Sequence, residues 1–196
     1  MRGMLEWRVG GVRCRVSLLF PALVTGLLLR QSDGLALSCL LASVVHEGGH
    51  LAAMAALGCP PTACTLGAFG ARLEMGRDRL TGYGRNILVS LAGPAVNALA
   101  ALVLWWCGRT QAAAVHALLG AFNLLPAEAL DGGQILRCLL GLFGQERHTP
   151  LILRLTSAAV LLPLAATAAY TALHGGNTTM LIVGGYLTVL IFFSPS

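Results

Sequence analysis

The chain has 196 residues, of which 56% are hydrophobic and only 11% charged. Soluble domains carry about 25% charged residues, so a water-soluble globule is excluded and an integral membrane protein is what remains. The net charge of +5 rests on 13 basic residues. All of them are arginines at the ends of apolar runs rather than in a stripe, so membrane topology explains them and a nucleic-acid partner is not expected.

Apolar windows fall near residues 15–29, 35–57, 86–107, 112–141, 151–173 and 179–193. Arg2, Arg8, Arg13 and Arg15 precede the apolar stretch Val16–Leu29 of the first. Because no small-residue cleavage site follows it, the first window reads as a retained helix rather than a signal peptide. The second, third and fifth windows have the roughly 20 residues that a spanning helix needs. Gly58-Cys59-Pro60-Pro61 ends the second, since proline cannot continue a helix. The segment 62–75 that follows is too glycine-rich for a helix, and Gly67 and Gly70 predict a hairpin of two short strands at the membrane edge. The fourth window is too long for one span and is interrupted by Asn123, Pro126, Gly132 and Gly133. Breaks at membrane depth are tolerated where backbone lines a cavity. The expected fold is therefore an all-α integral membrane protein of about six transmembrane helices, with a small membrane-edge β-hairpin after the second helix. It reads as one polytopic domain over 1–196, with its core at about 35–141.

Six spans would leave Arg30 and Arg109 on one face and the other eleven arginines on the opposite face. By the positive-inside asymmetry, the N-terminus is expected to be cytoplasmic in a multi-pass cell-membrane protein. Trp7, Trp105 and Trp106 fall at predicted span ends, as an aromatic belt requires. The six cysteines form no CxxC pair, which argues against a disulfide framework or a cysteine zinc site. His116, His148 and His174 read as surface or interfacial residues away from the predicted site depth.

The chemistry starts at residues 44–51, Val-Val-His-Glu-Gly-Gly-His-Leu. Positions four apart share a helix face, so His46 and His50 can chelate one ion. Glu47 follows His46 directly and can handle a proton on metal-activated water. Two imidazoles with a carboxylate suit Zn²⁺, which keeps an open position in catalytic sites. Three such groups in an apolar span would each cost a few kcal/mol without partners, so a packing role explains them poorly together. The broken fourth window offers a third ligand. Asp131 lies at a depth matching that of the histidines, and Gly132-Gly133 permits close backbone approach. Glu128 is the rival ligand, its alternative being a solvated acid on a water path.

His46-Glu47-Gly48-Gly49-His50, Ala92-Gly93-Pro94-x-x-Asn97 and Asn123-x-x-Pro126-x-x-x-x-Asp131-Gly132 occur in one order along the chain. Together they resemble the site-2 protease family of intramembrane zinc metalloproteases, over roughly residues 40–140. The compact layout is similar to that of the bacterial sporulation branch, which processes a sigma factor. The resemblance implies zinc held by His46, His50 and Asp131, with Glu47 as catalytic base. It also implies that Asn123 and Pro126 shape a substrate cleft and that Gly67, Phe69 and Gly70 belong to a strand region that holds substrate. An ordinary interhelical hydrogen bond is an equal reading of Asn123. Gly93, Pro94 and Asn97 read as helix packing rather than chemistry. The partners implied are the lipid bilayer and a membrane-associated protein substrate, such as a transcription-factor precursor or an anti-sigma factor. Neither a PDZ-like insertion nor a C-terminal nucleotide-sensing domain is expected. Two alternatives differ in class: an inert relative that binds membrane segments, and a small metal transporter. Glu47→Gln separates them, since only a protease must lose activity with it.

Overall fold

The computed structural model describes residues 4–9, 12–17, 34–59, 61–67, 70–74 and 82–174. The chain divides into two compact units, Met1–Phe122 and Asn123–Ser196.

The first unit opens with two strands, β1 (Met4–Val9) and β2 (Val12–Ser17), paired antiparallel with Val9 opposite Val12. This corrects the expectation that the first helix begins at residue 15. In VRCRVS, arginines alternate with apolar residues at the period of a strand, and the Gly10-Gly11 pair ahead of it is a hairpin signal. Glu6 and Arg15 are opposite in register and lie 3.5 Å apart. Trp7 is a strand residue. The rest of the first window and all of the last lie outside the described residues.

Helix α1 (Leu35–Ala56) carries the histidine pair. Its end satisfies the orphan carbonyls that every helix terminus leaves. The Cys59 N–H donates to the Met54 carbonyl at 2.9 Å and the Gly58 N–H to the Ala55 carbonyl at 3.1 Å. Gly58 has a φ of 67°, the left-handed conformation that glycine adopts without steric cost. Met54 and Cys59 then pack with Val89 in a small core cluster.

Next come β3 (Ala63–Gly67) and β4 (Gly70–Glu74), the two short strands expected after this helix. They do not stand alone. β3 runs parallel to β2, with Cys14 opposite Cys64, giving a four-stranded sheet in the order β1-β2-β3-β4.

Helix α2 (Tyr83–Trp106) buries Val89, Ser90, Gly93, Pro94 and Asn97. Leu88, Leu91, Leu99, Leu102, Val103, Trp105 and Trp106 on the same helix are exposed. Small and polar residues inside, with large apolar residues outside, is the arrangement of helices that face lipid. Helix α3 (Thr110–Asn123) buries Ala113, His116 and Gly120.

In the second unit, α4 (Asp131–Leu142) follows an irregular stretch, 124–130, which is the break expected in the fourth window. A short 3₁₀ turn (Glu146–His148) leads into α5 (Thr149–Leu173). Leu35–Ala56, Tyr83–Trp106 and Glu146–Thr167 are long and apolar enough to cross a membrane. They correspond to the three windows that met the length requirement in sequence.

Candidate active site

Helical spacing places His46 and His50 on the buried face of α1, 5% and 7% exposed. Their rings meet edge to face with centroids 4.7 Å apart, and the two Nε2 atoms are 3.1 Å apart. Two nitrogens each about 2.0–2.1 Å from a tetrahedral zinc ion would be roughly 3.3 Å apart. The imidazoles thus already converge on a point that suits the ion.

His50 Nδ1 lies 2.7 Å from the Val89 carbonyl. A carbonyl only accepts, so His50 carries its proton on Nδ1 and turns the Nε2 lone pair toward the ligand position. Pro94 has no N–H to donate to the Ser90 carbonyl, so the ladder of α2 is interrupted just beyond that contact.

Gly93 makes room for the rings. A Cβ there would meet Nε2 and Cε1 of His50 and lie 2.9 Å from Cε1 of His46. Across the same helix pair, a Cβ on Gly49 would lie 2.7 Å from the Ala92 carbonyl oxygen. Gly93 permits the close helix approach that its motif suggested, its Cα lying 3.1 Å from where a Cβ on Gly49 would stand, and it also makes room for the imidazoles.

Two residues were missed in sequence. Asn97, assigned to packing, is fully buried, and its Nδ2 lies 3.2 Å from His46 Nδ1. His116, assigned to a surface or interface, is 5% exposed, and its Nδ1 lies 3.1 Å from Asn97 Oδ1. His148 and His174 are exposed, as expected. A signal was present: Ser90, Gly93, Pro94 and Asn97 recur at helical spacing as a small and polar stripe on an otherwise apolar helix.

Glu47 lies one residue from His46 and is partly buried. Its carboxylate is felt on β3, where burial pushes the Cys64 thiol up, with Cys14 and Glu47 adding in the same direction.

In the second unit, Asp131 begins α4, where the helix dipole favours an anion. Gly132 and Gly133 hold the broken segment against the helix: a Cβ on Gly132 would meet the Leu124 and Leu125 carbonyls, and one on Gly133 the Ala127 carbonyl. Glu128, the rival ligand, is an exposed residue whose carboxylate accepts from Arg137 at 2.8 Å, and its N–H donates to the buried Ser157 hydroxyl at 2.9 Å. Both bonds hold the irregular stretch in place. Asn123 and Pro126 are partly buried at either end of its first half. Gly67 ends β3 and Gly70 starts β4, while Phe69 lies outside the described residues.

His46, His50 and Asp131 form a group able to hold a metal ion, with one candidate ligand atom from each lying within 4.8 Å of the others. Two neutral imidazoles and one carboxylate are a zinc donor set.

No protein-family model matches the chain. Over 156 residues, 70% of the chain, it is 31% identical to "Putative zinc metalloprotease Rip3" in two strains of Mycobacterium tuberculosis. It spans 36% of the length of these relatives. Its fold is similar to that of the "Site-2 Protease from Methanocaldococcus jannaschii", with a TM-score of 0.71 and 19% identity, covering 94% of this chain and 91% of that one. The metalloprotease relative and the His-His-Asp group agree on Zn²⁺ as the cofactor. With three helices long and apolar enough to cross a membrane, the chain is a membrane protein similar in sequence to a zinc metalloprotease and in fold to a site-2 protease.

Proposed function

We propose that the chain is an intramembrane zinc metalloprotease that hydrolyses a peptide bond of a membrane-associated protein, within or near the cytoplasmic side of the bilayer. The observation that carries this reading is the convergence of His46, His50 and Asp131 within 4.8 Å, beside Glu47 on an apolar helix.

His46, His50 and Asp131 would hold the ion. Bound zinc supplies a Lewis acid that acidifies water and polarises the scissile carbonyl. Glu47 accepts the proton released as water attacks the carbonyl carbon, then delivers it to the leaving amine nitrogen. Asn123 offers a carboxamide N–H to the substrate backbone or to the oxyanion, an interaction worth about 3–4 kcal/mol in other hydrolases. Pro126 fixes the backbone of the irregular segment that borders the cleft.

The substrate enters as an extended segment. Amides inside an intact helix are sheltered, whereas an extended segment can add to a sheet edge. β4 is one of the two edges of the described sheet; Gly67 and Gly70 belong to its hairpin, and we assign Phe69, which lies between them in sequence, to the same substrate-holding region. The sensitivity of Cys64 to Glu47 supports a sheet within electrostatic reach of the catalytic base. The hairpin lies at the membrane edge in this reading. The protein has about six spans in one polytopic domain with its catalytic core at 35–141, and the excess of arginines sets the N-terminus and the active-site face toward the cytoplasm. A transcription-factor precursor or an anti-sigma factor is the class of substrate that such a site releases.

The test is co-expression with a panel of membrane-bound transcription factors and anti-sigma factors, comparing wild type with Glu47→Gln. Cleavage by wild type alone, at equal zinc content in the two proteins, is the expected result. Equal processing by both, or no zinc in either, would overturn the reading.

A further inference from the structure

The two histidines differ in how their tautomers are set. His50 faces the Val89 carbonyl, which accepts and nothing else. His46 faces the carboxamide of Asn97, which offers a donor at one end and an acceptor at the other. With Nδ2 toward His46, as in the structure, Nδ1 of His46 must accept and its proton sits on Nε2, the nitrogen that faces His50. A half-turn of the carboxamide exchanges its two ends. Oδ1 then accepts from His46 Nδ1–H, the Nε2 lone pair is freed, and Nδ2 donates to Nδ1 of His116.

We infer that Asn97 and His116 are positioning residues that select the metal-binding tautomer of His46: an unprotonated His116 Nδ1 holds the amide end of Asn97, which leaves the carbonyl end to take the His46 proton. Full burial of Asn97 strengthens the argument, because neither end of its carboxamide can turn to water instead. Gly120 on α3 also matters here. A Cβ there would lie 3.3 Å from the Asn97 Cβ and 3.3 Å from the Pro94 carbonyl oxygen, so α3 is seated tightly against the turn that carries Asn97. Outer partners of this kind fix ring orientation and ligand basicity in metal sites. None of the sequence motifs includes His116, so this feature belongs to the fold of this chain.

The inference rests on the metal-centre reading above, and its test reads metal binding rather than proteolysis. The full chain in detergent micelles is titrated with Co²⁺, with the visible ligand-field bands reporting ligation and a competing chelator giving the affinity. Asn97→Leu is expected to weaken Co²⁺ binding by about 10–100-fold, the range found for lost outer partners. Asn97→Asp, nearly isosteric, is expected to keep wild-type affinity, since either carboxylate oxygen accepts from His46. His116→Ala should weaken binding when Asn97 is present but not when Asp replaces it, because a carboxylate needs no partner to choose its acceptor end. Wild-type affinity in Asn97→Leu, or an equal loss from His116→Ala in both backgrounds, overturns the inference while leaving the metal centre standing. Failure of the wild-type chain itself to bind Co²⁺ overturns the metal-centre reading, and this inference with it.

Discussion

Gly93 is where a single methyl group does most harm to the proposed zinc site. The Cβ of an alanine would overlap the His50 ring and crowd His46, and the helix backbone that carries it cannot move aside as a flexible side chain can. Overpacking of this kind typically costs 1–3 kcal/mol. Gly93→Ala is therefore expected to lower metal affinity by about tenfold or more while the helices still form, which zinc analysis together with circular dichroism would detect. Under the proposed function, Glu47→Gln is expected to make the opposite separation, abolishing cleavage while zinc is retained. Glu128 shows how context reassigns a residue. By type it rivals Asp131 as a ligand, yet its carboxylate is matched by Arg137 and its N–H by the Ser157 hydroxyl. Glu128→Gln should leave zinc content unchanged, whereas Asp131→Asn should remove most of it; equal zinc loss in both would reverse the assignment.

Among the elements, the sheet and the irregular stretch 124–130 are where local rules yield to neighbours. β2 and β3 are distant in sequence but paired in space, so the nearness of Cys14 to Cys64 is a property of the sheet and not of either segment. The Glu47 carboxylate disfavours the Cys64 thiolate, in addition to the larger effect of burial. Glu47→Gln should thus lower the Cys64 pKa slightly and raise its alkylation rate at a fixed mildly alkaline pH, with Cys14 replaced by serine in both proteins. An unchanged rate would put the sheet out of electrostatic reach of the base. The irregular stretch depends on glycine at 132 and 133, where the backbone of 124–127 presses on the helix. Gly133→Ala is expected to displace this stretch and to lower thermal stability by more than an exposed Gly84→Ala change would.

For the molecule as a whole, bound metal contributes to stability by mass action. An ion bound only to the folded state stabilises by about 2.7 kcal/mol at a hundredfold excess over its dissociation constant. Chelation should lower the unfolding temperature of the wild-type chain in micelles and leave His46→Ala unmoved; an equal shift in both would mean that the chelator acts elsewhere. The proposed orientation is tested separately, by labelling single cysteines placed beside Arg109 and Arg147 from one side of sealed vesicles. Access from opposite faces is expected, and access from the same face would reject the six-span layout.

Apolar runs, the spacing of His46, Glu47 and His50, and the isolated Asp131 were legible in sequence because each is a local pattern. Lipid tolerates a buried ionisable group only where it has a partner or a task, so such residues stand out from their surroundings. The three apolar helices, the broken fourth window and the two strands after α1 follow from the same kind of local reading. The strand pair at the N-terminus was equally local, but its arginines were read as topology signals instead. Only the tertiary structure decided that β2 joins β3, that Gly93 shelters two imidazoles, and that Asn97 and His116 line up behind His46. Those are hydrogen bonds and close approaches between residues far apart in the chain. A carboxamide reads the same in sequence whether it packs against a helix or holds a ligand, and its role is set by what the fold puts opposite it.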